Sequence, residues 1–526
     1  MTLTPRLTVS LCAALSLCAL LAVPANFPAL GGDARLTLAV FALATCAWIG
    51  TPIDDTYIAL GAGLALTVTG VISSDTLFGT LGDSTVWLLI CAFVLAAAVT
   101  RTGLAGRAAA FLVSGARTVR QLVHLTTAAL VVTAFAVPAT SGRAALALPV
   151  FLALARVLVP PPAALAPSRR PARPLAAPAE SPSTSSTRTS GRHAESTHRT
   201  PLLDGQASPA EALAGRKRLV VMLALLFPTV ILLSAVATLI GAGAHLITVS
   251  VLWEATGQRI GFTEWLLLGL PLAVASSHLA AETVLLTTTR RADRAGAVRI
   301  TPEEVQRHSD RPVTGPWTQE EQRCALLLAT VVVLWCSEPL HRVPPAVVAL
   351  IGAIVAATPA LGTVRLKDAL RTVPWSLLLF MAATMAMGVA LTDSGAAKWL
   401  VAGLPADVSP AVFLMVVVAV STAAHLLLQS RSARSSVLVP LVIAAAAGAG
   451  VNPAAAALAS TAAAGFCHTL PASAKPVTLF SDLPGTPTYT PRHLLRLSAV
   501  LAPLTAALVW LFAVAVWPLL GVPVTP

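Results

Sequence analysis

"ATSGRAALALP" (Ala139–Pro149) and "RSARSSVLVP" (Arg431–Pro440) carry arginines in the same frame, Arg143 and Arg434 each six residues before a proline. Both stretches interrupt long apolar regions, 122–158 and 409–449. Each apolar arm beside the interruption runs about 15 residues, or about 23 Å as helix, short of a bilayer core of about 30 Å. The two regions therefore read as re-entrant helical hairpins that enter a membrane, turn and leave by the same side. Irregular backbone at that depth is tolerated only against protein or a water-filled cavity. An arginine at the bilayer centre costs about 2.5–3.5 kcal/mol on insertion scales, so it marks function by default. Two in matching frames point to a repeat.

The rest of the chain agrees with a membrane setting. Of 526 residues, 56% are hydrophobic and 11% charged, with a mean hydropathy of +0.80. Apolar runs span roughly 7–24, 35–51, 56–73, 85–100, 219–250, 262–287, 324–341, 344–361, 374–392, 455–481 and 496–518. The fold class is an all-α polytopic membrane protein: about 11 transmembrane helices plus two re-entrant hairpins. The alternating short segments of a β-barrel are missing. Residues 7–24 read as a first transmembrane helix rather than a signal peptide, because many spans follow. Seven cysteines without ligand spacing predict neither a disulfide framework nor a zinc site. The net charge of +12 suits the positive-inside rule and anionic lipid, not nucleic acid.

Charge also orients the chain. Arg101, Arg107, Arg117 and Arg120; Arg216, Lys217 and Arg218; Arg290, Arg291, Arg294 and Arg299; and Arg365, Lys367 and Arg371 fall on one side if the N-terminus is cytoplasmic. The hairpins then open to opposite sides and the C-terminus lies outside. Residues 159–217, rich in Pro, Ser, Ala and Arg, read as a disordered cytoplasmic linker. "TPIDDTYIALGAGLALTVTGVIS" answers to "EPLHRVPPAVVALIGAIVAATPALGT", and "STVWLLICAFVLAAAVTRTGLA" to "VPWSLLLFMAATMAMGVALTDSGAA". Two inverted repeats with broken elements at mid-membrane are the sequence mark of a secondary transporter. The expected division is scaffold at 1–118 and 323–405 and a mobile part of hairpins 119–158 and 406–450 with helices 218–288 and 451–526. A connector, 289–322, joins the halves.

"DSTVWLLICAFVLAAAVTRTGLAGR", "GPWTQEEQRCALLLATVVVLWCSEPL" and "ATLIGAGAHLI" resemble segments of the divalent anion/sodium symporter family, which carries dicarboxylates, citrate and sulfate. The resemblance covers the chain apart from 159–217. It implies a homodimer in the plasma (inner) membrane, alternating access, and a site built from hairpin tips and broken helices. The family carries Ser-Asn-Thr at each tip. Aligning the prolines puts the first motif on Ala139, Thr140 and Ser141 and the second on Ser430, Arg431 and Ser432, and neither has the Asn. A family Thr just beyond is replaced by Arg143 and Arg434. The family's Thr-Pro-Pro-Asn loop becomes Ala242, Gly243, Ala244 and His245, with a counterpart near Ala474, Lys475, Pro476 and Val477. Oxygen ligands for sodium have gone and cations have arrived.

The chemistry at the tips favours an anion. Thr140 and Ser141, with Gly142 beside them, are expected to cap the helix that carries Arg143, and Ser430 and Ser432 the helix that carries Arg434. Helix N-termini bind anions, and arginine forks match carboxylate or sulfate. Thr140, Ser141, Gly142, Arg143, Ser430, Arg431, Ser432, Arg434, His245 and Lys475 are therefore the candidate substrate-binding residues. His278 and Glu282, one turn apart, are a candidate proton pair; His425 and His468 are weaker candidates, and Asp54 and Asp55 read as solvated residues of a short loop. With no Ser/His/Asp set, phosphate loop or metal cluster, the chain is expected to be neither an enzyme nor a cofactor protein, with sodium left open as coupling ion. The expected function is secondary transport of a small divalent anion, sodium-independent because Arg143 and Arg434 stand in for bound sodium. Its rivals are sodium-coupled symport, an anion sensor that does not transport, and arginines that only lock the tips.

Overall fold

The computed structural model describes residues 30–113, 115–159, 209–298, 300–307, 312–402 and 408–526. The expected first span at 7–24 and most of the 159–217 linker lie outside these residues. The described residues are helical, with one isolated antiparallel bridge, Thr118 to Ala297, and no strand. Among the described residues, eight helices are long and apolar enough to cross a membrane, and four shorter apolar helices accompany them.

The principal helices are α1 (Gly32–Gly50), α2 (Asp55–Val68), α3 (Ser84–Thr102), α4 (Val119–Ala136), α5 (Thr140–Leu158), α6 (Pro209–Leu233), α7 (Gly243–Thr256), α8 (Phe262–Thr288), α9 (Gln319–Cys336), α10 (Pro345–Ala357), α11 (Trp375–Asp393), α12 (Pro410–Ala423), α13 (Arg431–Gly448), α14 (Pro453–Ala463), α15 (Lys475–Ser481) and α16 (Pro491–Leu511). Their starts follow local chemistry. Asp54, Asp83, Thr118, Thr318, Ser409, Ser430 and Asn452 each accept a first-turn backbone N–H, and Pro345, Pro410, Pro453 and Pro491 open helices where no N–H is needed. Residues 209–217, expected as linker, are the first turns of α6.

Element order repeats across the chain. The series α2, α3, α4, α5, α6, α7, α8 has the counterparts α10, α11, α12, α13, α14, α15, α16. Packing follows the same exchange: α10 lies on α3 while α11 lies on α2, and α7 lies on α13 while α15 lies on α5. Within each half, α8 packs on α4 and α6 as α16 packs on α12 and α14.

Two apolar runs counted as spans, 219–250 and 455–481, are broken, the second where Pro471 and Pro476 mark a helix break in the sequence. The 219–250 run stops at Leu233, passes through short 3-10 turns at Ser234–Ala237 and Leu239–Gly241, and resumes as α7. A Cβ on Gly241 would stand 2.1 Å from the Ala235 carbonyl oxygen, so only glycine permits this fold-back. The 455–481 run stops at Ala463 and resumes at Lys475. Hydropathy passes over the first break because its residues, Ser234–Ala242, are apolar or small. The arms of the first hairpin are also longer than expected: α4 has 18 residues and α5 has 19, against 14 for α12 in the second.

The buried side chains form two large cores. One unites α1–α3 and α9–α11 with the start of α8 and with α13 and α14. The other unites α4, α5, α6, the end of α8, α15 and the start of α16. Phe151, Phe227 and Phe480 lie at its centre with ring centroids 5.4–5.6 Å apart.

Candidate functional site: an arginine core between broken helices

The first tip is a bend at Val137, Pro138 and Ala139. Ala139 has φ 72° and ψ 134° and leads straight into α5. Thr140 and Ser141 do not cap that helix as expected; the N-cap position belongs to Ala139, which has no side chain to offer. A Cβ on Gly142 would stand 3.2 Å from Val137, so a small residue suits the bend. The second tip behaves as expected at Ser430, whose hydroxyl accepts from the Ala433 N–H at 3.3 Å. Ser432 is inside α13 rather than at its cap, with its hydroxyl near Gly243 at the start of α7.

Arg143 and Arg434 are both fully buried, yet their surroundings differ. The Arg143 guanidinium donates to Thr133 Oγ1 at 3.0 Å, the Ile231 carbonyl at 3.0 Å, the Leu130 carbonyl at 2.6 Å and Ser234 Oγ at 2.6 Å. Four neutral oxygens from α4, α6 and the break after α6 thus enclose one cation. Arg434 donates to the Phe466 carbonyl at 3.1 Å, while its Nε and Nη2 have no partner. Arg431 donates to the Leu232 carbonyl at 3.2 Å, and its Nε and Nη1 are buried without a partner. The symmetry in sequence between Arg143 and Arg434 stops at the backbone: the first is saturated, and the open forks belong to Arg431 and Arg434.

Arg431 is the hub, within electrostatic reach of Arg143, His245, Arg434 and His468. Gly465 makes room for it: a Cβ there would stand 2.2 Å from Arg431 Nη2. His245, in the first turn of α7, pairs Nδ1 with the Thr238 carbonyl at 3.0 Å and stacks on Trp265 at 4.9 Å; its Nε2 is buried and unpaired. His468, in the break after α14, is fully buried with Nε2 unpaired. His425 is satisfied by the Thr422 carbonyl at 2.5 Å and Thr469 Oγ1 at 2.6 Å. Cys467 lies beside both open arginines, its thiol donating to the Gly465 carbonyl at 3.6 Å. Among the described residues, no carboxylate forms an ion pair with Arg143, Arg431 or Arg434.

Lys475 is not part of this core. It is exposed and lies in reach of Asp54 and Asp55. Ser430 bonds to Asp55 and so ties the second tip to the start of α2. Hydrogen bonds from Thr56, with Lys475 nearby, hold the Asp54 carboxyl below the usual carboxylate range.

His468 and the Gly465–Cys467 turn are the residues that motif reasoning underweighted. The signal was available: "GFCHTLP" pairs a glycine with a proline inside an apolar run, the mark of a broken helix. A cavity of about 760 Å³ lies elsewhere, at the surface between Glu211, Arg218, Arg290 and Asp293. Buried unpaired cations, not cavity size, locate the candidate site.

An unpaired buried cation is strongly unfavourable, and a guanidinium with open N–H groups is complementary to an oxyanion. Arg431 and Arg434 present four such nitrogens beside two imidazole Nε2 atoms. The arrangement can hold a small anion with two charged ends or one compact dianion. Among the described residues, no group of three or more His, Cys, Asp or Glu is placed to hold a metal ion.

Comparison with known proteins agrees with this geometry. Residues 6–522 match the family described as the sodium:sulfate symporter transmembrane region. A "Membrane protein" of Cupriavidus necator is 28% identical over 210 residues, and the match spans 39% of this chain and about two fifths (40%) of that relative's length. The Neisseria gonorrhoeae MtrF structure, described as illuminating a class of antimetabolite efflux pumps, superposes with a TM-score of 0.52 at 12% identity, covering 94% of this chain and 97% of the other. At that identity it supports the fold alone. The Alcanivorax borkumensis YdaH transporter gives a TM-score of 0.48 at 16% identity, covering 94% and 100%. A multi-pass helical architecture, a cation-lined core and a match over nearly the whole chain converge: this protein belongs to the sodium:sulfate symporter transmembrane family of membrane anion transporters, the divalent anion/sodium symporters, and is not an enzyme.

Proposed function

We propose that the chain is a sodium-independent secondary carrier of a small divalent anion, sulfate or a di- or tricarboxylate. The observation that carries the reading is the buried cluster of open donors on Arg431 and Arg434. The anion docks on those two forks, with His245 and His468 Nε2 completing the shell. Arg143 supplies a fixed positive charge beside them. The four oxygens around its guanidinium, two carbonyls and two hydroxyls, are the donor set a sodium ion would use. Arg143 is thus a built-in cation and Arg431 with Arg434 the anion clamp.

The repeated element order and exchanged packing support two inverted repeats related by a pseudo-two-fold axis. In this reading both tips are re-entrant, the N-terminus is cytoplasmic, and the protein works as a homodimer in the plasma membrane. Helices α1–α3 and α9–α11 form the scaffold. The tips and broken helices move against it in alternating access.

The test is binding of sulfate and of succinate to the purified protein by calorimetry in sodium-free buffer. A charge-assisted hydrogen bond contributes about 1.5–3 kcal/mol, so Arg431→Gln and Arg434→Gln should each weaken binding about 10–100-fold. Unchanged affinity in both variants contradicts the clamp.

A further inference from the structure

Outside the arginine core, one cluster of titratable groups joins two helices. Arg120 and His124 stand one turn apart on α4, and His278 and Glu282 one turn apart on α8, so each pair shares a helix face. The faces meet. His124 Nδ1 lies 2.8 Å from His278 Nδ1, and His124 Nε2 lies 2.8 Å from Glu282 Oε1. Arg120 reaches the same carboxylate through Nη2 at 3.0 Å and Nε at 3.0 Å. The imidazole rings sit 5.0 Å apart. The outer end is open: the Arg120 side chain is 63% exposed, against 30% for Glu282.

The chemistry of this contact is specific. Two Nδ1 atoms at hydrogen-bond distance hold one proton between them; two would collide. With His124 Nε2–H donating to Glu282, neutral His124 must accept at Nδ1, and His278 must donate. A proton added at His278 Nε2 lets the shared proton pass to His124 Nδ1. The Nε2 proton of His124 then passes to Glu282 and leaves from the exposed carboxylate. One proton enters at His278 and one leaves at Glu282, both rings change tautomer, and the reverse sequence returns a proton along the same path.

The cluster lies on the helices that build the anion core. Leu130 and Thr133, which hold Arg143, follow His124 on α4. Ser277, fully buried with an unpaired hydroxyl, precedes His278 on α8. A void of about 10 Å³ lined by Ser276, Thr422 and Phe466 lies between α8 and the residue whose carbonyl holds Arg434. Around the cluster, α6 offers Glu211, Arg216, Lys217 and Arg218, the last committed to Asp293; α16 offers Arg492, His493 and Arg496. The segment after α8 brings Arg290, Arg291, Asp293 and Arg294, and α9, which also packs on α8, brings Glu320, Glu321 and Arg323 in its first turns. Glu282 is the carboxylate that bonds to His124.

We propose that His124, His278 and Glu282 form a proton-binding relay, with Arg120 fixing its carboxylate, that couples proton movement to anion transport. Its transport readout rests on the carrier reading above, so a second readout does not. Proteoliposomes are loaded with a pH-sensitive dye, the potential is clamped with potassium and valinomycin, and labelled sulfate or succinate is supplied outside without sodium. A gradient of one pH unit supports about tenfold accumulation for each coupled proton. The wild type should reach this level. His124→Gln and His278→Gln should fall to the level without a gradient while keeping anion exchange, which shows that they are folded and bind. Wild-type accumulation that ignores the gradient, or variants that respond in full, overturns the relay. Failure of the wild type to carry or exchange either anion sinks the carrier reading instead. The relay is then judged by 15N-histidine resonances of the purified protein, which should show one proton shared between two imidazoles, lost in His124→Gln; two independently titrating rings refute it.

Discussion

Ala139 occupies a backbone region, φ 72° and ψ 134°, that non-glycine residues rarely enter. Such conformations cost of order 1–3 kcal/mol and persist where the surroundings over-determine them. Here the surroundings are Pro138 on one side and, on the other, Arg143 pinned by four oxygens. Ala139→Gly should therefore stabilise the protein by about 1 kcal/mol or more, read as a raised thermal midpoint in detergent. A lowered midpoint would show that the bend is unstrained. The arginine frame was legible in the sequence, and so was the need for something to neutralise each charge. The division of labour was not. Arg143 is saturated because Thr133 and Ser234 approach it from α4 and the break after α6, residues about ten and ninety positions away that no local pattern connects.

The helices show the same limit. Caps and prolines marked most starts, and Thr318 with Glu321 forms the capping box that "TQEE" announces, its carboxylate also taking Arg107 at 2.9 Å. Hydropathy hides the break after α6, whereas glycine and prolines mark the one after α14; the end of α6 supplies the Leu232 carbonyl that receives Arg431, and the break after α14 the Phe466 carbonyl that receives Arg434. Outside the membrane-spanning helices, Asp293 draws the start of α6 onto the segment after α8. Arg218 donates to it at 2.7 and 2.6 Å, and the Arg290 N–H at 2.9 Å. The Arg218 guanidinium holds the Asp293 carboxyl below its ordinary value of 3.8, aided by the Arg290 backbone. A depressed folded-state value means the contribution is complete above about pH 4 and is lost as pH falls through the lowered value. Asp293→Asn should remove this acid-sensitive part: the stability difference between wild type and variant should be flat above about pH 5 and shrink below about pH 4. A difference that stays constant through that window would detach the pair from stability.

The transporter architecture was the most legible feature, because composition, span count and repeated hairpin frames constrain it independently. Packing adds the exchange of partners between halves, α10 on α3 and α11 on α2, and with it α7 on α13 and α15 on α5. Among the described residues, no carboxylate pairs with Arg143, Arg431 or Arg434. Uncompensated buried positive charge favours an anion and disfavours a nearby sodium ion, and the cage that could hold sodium is filled by the Arg143 guanidinium. The most direct measurement is uptake of labelled sulfate and succinate into proteoliposomes, with and without sodium, by the wild type and by Arg143→Ala. Uptake by the wild type should be the same in both media, and the variant, its four oxygens freed, should need sodium. Wild-type uptake that stops when sodium is removed would contradict the built-in cation.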